Sequence, residues 1–95
     1  MAARSGDEAP QGGASVQVRG YVLDRREFNE MRMRLPRAVR RGVEPAPEGH
    51  VGLIAQAVIG DQAGTPLSVL YGSVPARLAA DGLSKLEHQL ARQLA

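Results

Sequence analysis

Apolar and polar positions first alternate between Ser15 and Leu23, with Val16, Val18 and Val22 on one side and Gln17, Arg19 and Tyr21 on the other. That is the period of a half-buried strand. Gly20 within the run marks a bulge or close packing. The period then changes. Asp24, followed three residues later by Glu27, has capping-box spacing and predicts a helix starting near Arg25. Phe28, Met31, Leu35, Ala38 and Val39 fall within about 100° of helical arc, with Arg25, Arg26, Arg34, Arg37, Arg40 and Arg41 on the opposite side. Pro36 removes an amide donor from this segment, yet the apolar stripe keeps its phase across it. The pattern therefore predicts one helix with two unlike faces that Pro36 kinks or interrupts, closed by Gly42 as a left-handed C-cap.

Val43 to Gly49, with Pro45 and Pro47, reads as a stiff connector. His50–Ile59 and Pro66–Tyr71 are rich in Val, Leu and Ile and flank the turn-forming run Gly60 to Thr65, so they predict an antiparallel hairpin. In its first strand Val51, Leu53, Ala55, Ala57 and Ile59 share one face, while Ile54 and Val58 lie on the other, so both faces need cover. Ser73 and Pro75 read as a second helix start, followed by a stripe of Leu78, Leu83, Leu86, Leu90 and Leu94 running to Ala95. Asp81 and Gly82 weaken that helix, by about 1 kcal/mol at the glycine. Residues 1–14, with Gly6, Pro10, Gly12 and Gly13, predict a disordered tail before a single domain over 15–95. The expected architecture is α+β in the order β-α-β-β-α, a two-layer domain with two helices on one face of a three-stranded sheet.

Length and composition limit what such a domain holds. Ninety-five residues are too few for both a large core and a deep cleft, and only Tyr21, Phe28 and Tyr71 are aromatic. A core of aliphatic side chains this small points to modest stability or to stability shared with a partner, including a second copy of the chain. No cysteine is present, which excludes disulfides and sulfur-ligated zinc. No run approaches the length of a spanning helix, and the N-terminus lacks a secretory pattern, so a cytoplasmic protein without membrane contact is expected.

Charge is more informative in its distribution than in its total of +2. Between residues 19 and 41, eight arginines stand against Asp24, Glu27 and Glu30, leaving +5. The arginine fork is suited to phosphate and carboxylate. Catalytic patterns are missing by comparison: there is no Gly-rich phosphate loop ending in Lys, no nucleophile elbow and no histidine pair at ligand spacing. His50 and His88 read as surface residues, Asp61 as a turn former, Asp81 as a solvated helix residue and Ser73 as a cap. Neither an enzyme, a metal site nor a cofactor is expected.

The segment from about Thr65 to Ala95 resembles the end of ribosome hibernation factors, in which a strand leads into a final helix carrying an alanine-aspartate pair and then a lysine-leucine-glutamate run. The matching residues are Ala80-Asp81 and Lys85-Leu86-Glu87-His88-Gln89-Leu90. The resemblance covers about a third of the chain and implies a small basic α+β protein that binds ribosomal RNA. The arginine face leads to the same class by a separate route. The expected function is thus a noncatalytic RNA- or ribosome-associated protein that contacts phosphates through Arg25, Arg26, Arg34, Arg37, Arg40 and Arg41. The alternative is a protein-interaction or assembly module that forms a homodimer or binds an acidic protein partner. Tyr21 and Tyr71 are the only candidates for base stacking, and both serve equally well as strand packing, so backbone or shape recognition of structured RNA is expected rather than base-specific reading.

Overall fold

The computed structural model describes residues 16–59 and 65–94. Strand β1 (Val16–Leu23) is followed by helix α1 (Arg25–Met33), a short helix α2 (Arg37–Arg40), strands β2 (His50–Ile59) and β3 (Ser68–Pro75), a 3-10 turn (Ala76–Leu78) and helix α3 (Ala79–Leu94). The three strands form one antiparallel sheet in the order β1-β2-β3. The domain is α+β and keeps the expected β-α-β-β-α order, with α2 as an added turn of helix. The expected tail over 1–14 and the turn role of Asp61 lie outside the described residues.

β2 takes the centre because it is apolar on both sides. Its neighbours are fixed by register: Gly20 pairs with Ala55 and Ala55 with Leu70, while Tyr21 pairs with Ile54 and Ile54 with Tyr71. Successive strand residues point to opposite faces. Leu53, Ala55 and Ala57 face α3, where Leu90 is fully buried against Ala55 and Ala57, with Leu86, Val18 and Leu70 around them. Gly52 and Ile54 face α1, where the fully buried Phe28 lies over Gly52 and joins Val43, Ala46 and Ile54 in a second cluster.

The expectation that both helices share one face is therefore corrected. They lie on opposite faces, and the reason is in the strand itself: the even-numbered apolar positions of β2 need their own cover, and α1 with its connector supplies it.

Two glycines let α3 approach the sheet. A Cβ at Gly82 would come within 2.9 Å of Val74 Cγ1 and 3.1 Å of Leu53 Cδ1, and one at Gly20 would meet Leu83 and Glu87. Gly82, read from sequence as a weak point in the helix, is where the helix passes close to Val74 and Leu53 of the sheet. Gly20 marks close packing, and the β1–β2 register runs through it without a bulge. The leucine stripe is buried only in the middle, since Leu78 and Leu94 are 39% and 41% exposed at its two ends.

Pro36 interrupts the first helix rather than kinking it, and two further local expectations are corrected. The helix starting at Arg25 ends at Met33 and resumes at Arg37 with Pro36 as its N-cap. The missing amide and the ring's clash with the preceding turn break it, so the apolar phase does not run through. Gly42 does not adopt a left-handed conformation; Gly49 does, with φ 79°, at the entry to β2. Ser73 and Pro75 belong to β3, which stays paired with β2 as far as Pro75 opposite His50. Proline is tolerated there because it ends an edge strand.

Candidate functional site

The arginine-rich segment is organised by α1 and the connector that returns to β2. Asp24 caps α1, accepting the Glu27 amide at 2.8 Å. Arg25, Asn29 and Arg32 are spaced by four and three residues, which places them along one side of the helix. All three bond the connector backbone. Arg25 Nε donates to the Ala46 carbonyl at 3.2 Å. The Asn29 side chain donates to the same carbonyl at 3.1 Å and accepts the Ala46 amide at 2.8 Å. Arg32 Nε donates to the Val43 carbonyl. These bonds hold Val43 and Ala46 over the sheet beside Phe28, where both are buried.

The six expected contact residues are thus divided. Arg26, Arg34, Arg37 and Arg41 are exposed, with no hydrogen bond from their side chains among the described residues. Arg25 spends one donor on Ala46, and Arg40, half-buried, spends one on the Met33 carbonyl at 3.2 Å. A guanidinium has five donors, so each retains most of its capacity. The break at Pro36 distributes the six over two helical pieces rather than one continuous face. Sequence reading missed Asn29 and Arg32 as holders of the connector; their i, i+4, i+7 spacing with Arg25 was the available signal.

Among the described residues the only salt bridge is Lys85–Asp81 on α3, 3.3 Å long and exposed. No arginine is paired with a carboxylate there. His50 Nδ1 donates to the Glu48 carbonyl at 3.3 Å, and His88 is exposed on α3. Among the described residues no three His, Asp or Glu side chains converge as metal ligands, and no cavity opens between the layers. No helix there is long and apolar enough to cross a membrane.

The α1-side face of the sheet is covered unevenly. Leu23, Ile54, Val69 and Tyr71 pack into or against the Phe28 cluster. On β1, beyond Leu23, the same face carries Tyr21, Arg19 and Gln17, all exposed. Tyr21 lies in one cross-strand row with Ile54 and Tyr71, and the adjacent row is Arg19, Gln56 and Val69. Arg19 Nη2 donates to Gln17 Oε1 at 3.3 Å. Burial raises the Tyr71 phenol above its usual pKa. No residue of the three strands on this face is acidic. No protein-family model, curated protein or solved structure matches the chain.

Proposed function

We propose that the chain is a noncatalytic RNA-binding protein that contacts the phosphate backbone through the segment from Arg25 to Arg41. The observation that carries this reading is a concentration of arginines with no carboxylate partner: among the described residues Arg26, Arg34, Arg37 and Arg41 are exposed and none is in a salt bridge. An ordinary solvated surface of mixed charge intersperses both signs, whereas a segment of +5 concentrates a field that attracts polyanions. Each phosphate contact releases condensed counterions, so affinity is expected to fall steeply with salt. The connector bonds of Arg25 and Arg32 support the same reading, because they tie α1, which carries the exposed Arg26, to the chain that returns to β2. The ribosome is one RNA surface that would suit such a protein, and a cytoplasmic location accords with it.

The test is a salt titration of binding to a structured RNA hairpin, with the parent chain beside a variant in which Arg26, Arg34, Arg37 and Arg41 are replaced by Gln. All four are exposed, so the fold is expected to survive. The expected result is tight binding at low salt that weakens with added salt, and a slope flattened by about 0.7 to 0.9 for each contact removed. Equal binding by the variant would overturn the proposal. A parent chain that ignores RNA at low salt and sediments as a dimer would favour the second reading, self-association. That reading has its own support in β1, an edge strand on which Val16, Tyr21 and Val22 are all more than 40% exposed.

A further inference from the structure

The chain has three aromatic residues. Phe28 is fully buried and Tyr71 is half-buried against the Phe28 cluster, but Tyr21 is 43% exposed. For a small core short of aromatic area, leaving one of three in solvent forgoes stabilisation that burial would supply. Its neighbours suggest what the exposure serves. Arg19 and Gln17 follow Tyr21 along the same face of β1, and Gln56 sits beside Arg19 on β2. Tyr71 stands two strands away in the same row, about 10 Å distant at ordinary strand spacing.

We propose that this open part of the α1-side face is a contact site for unpaired nucleotides, with a base stacked on Tyr21 and the adjoining phosphate held by Arg19. The inference rests on the RNA-binding reading and adds a second, distinct surface to it. An aromatic ring offers a platform to any base, an arginine beside it neutralises the phosphate, and the two glutamine amides supply donors and acceptors to base edges. Charge favours the same occupant. The only fully ionised side chain that the strands place on this face is Arg19, with no carboxylate among the described residues there, and the arginines of α1 and α2 follow directly in sequence. On the opposite face Glu87 lies over Gly20, so a polyanion meets a carboxylate on the α3 side of β1, whereas the strand residues of the α1 side present none.

The chain contains its own probe. It has two tyrosines and no tryptophan, so its intrinsic fluorescence comes from Tyr21 and Tyr71 alone. Titrating the full chain at low salt with a short single-stranded oligouridylate is expected to quench that emission, while a fully paired hairpin RNA binds with little quenching. Tyr21→Ala should weaken oligouridylate binding about tenfold and leave hairpin binding unchanged, and Tyr21→Phe, which keeps the ring, should restore affinity. If both RNAs bind without quenching and Tyr21→Ala changes neither, the stacking site is wrong and the phosphate-binding reading stands. If neither RNA binds the parent chain, both fall together. An unlabelled acidic peptide that binds the same face and depends on Arg19 but not on Tyr21 would assign the face to protein instead.

Discussion

The two faces of the sheet are covered by different means. On one, α3 runs for 16 residues and comes close to the strands through Gly20 and Gly82, burying Leu90 on a floor of Ala55 and Ala57. Small residues on both sides let a long helix lie close to the strands, and among the described residues no side-chain hydrogen bond or salt bridge joins it to the sheet. On the other face α1 has nine residues and places a single large side chain, Phe28, in the space left by Gly52. Its connector is held by side chain to backbone hydrogen bonds from Arg25, Asn29 and Arg32. The difference shows how polar residues extend a core too short of apolar ones. It also leaves the β1 part of that face open, where Tyr21, Arg19 and Gln17 are exposed, and the proposed RNA contacts lie there and on the exposed arginines that follow in sequence.

The sharpest break in this comparison is at the Phe28 niche. A Cβ at Gly52 would overlap both the ring and the Cβ of Phe28, on backbone that cannot move without disturbing the central strand. Gly52→Ala is expected to cost about 3 kcal/mol in denaturant unfolding. Gly72, on the α3-side face of β3, has nothing within 4 Å of an added Cβ, so Gly72→Ala should change stability by less than about 0.5 kcal/mol. Similar costs at the two positions would mean that Phe28 is not seated as described.

A smaller effect tests the polar half of the cover. Asn29→Ala removes two hydrogen bonds from Ala46, whose residue is 2% exposed, and leaves its amide without that partner. The expected loss is about 2 kcal/mol, with amide exchange accelerated at Ala46 and unchanged along α3. Uniform acceleration across the domain would show that connector and α3 unfold as one unit.

Much of this architecture was legible in the amino-acid sequence, because periodicity and capping are local. The strand β1, the Asp24 cap and the two-sided β2 all reappear in the structure at the expected residues, but the valine side of β1 is half-buried only at Val18, since Val16 and Val22 are 47% and 45% exposed. What was not legible depends on contacts distant in sequence. Ile54 and Val58 signalled a second apolar face, but nothing in the β2 pattern says which helix covers it. A glycine opposite an aromatic, as Gly52 is to Phe28, is visible only once the two are brought together. The same holds for the arginines. Their number and spacing were plain, but the break at Pro36 and the bonds from Arg25 and Arg40 to backbone carbonyls decided which of them stand unpartnered. Tyr21 and Tyr71 could be named as the only stacking candidates, yet their common row across Ile54 follows from strand register.

The central proposal is that α1, α2 and the open face of β1 meet RNA while α3, packed on the other face, does not. Mapping backbone amide shifts of the full chain by NMR, as a single-stranded RNA is added at low salt, tests it most directly. The account predicts that the largest shifts fall at Gln17 to Tyr21, at Gln56, and from Arg25 to Arg41, with α3 nearly silent from Ser84 to Leu94. Shifts concentrated on α3, or absent from both Tyr21 and the arginine segment while RNA binds, would contradict it.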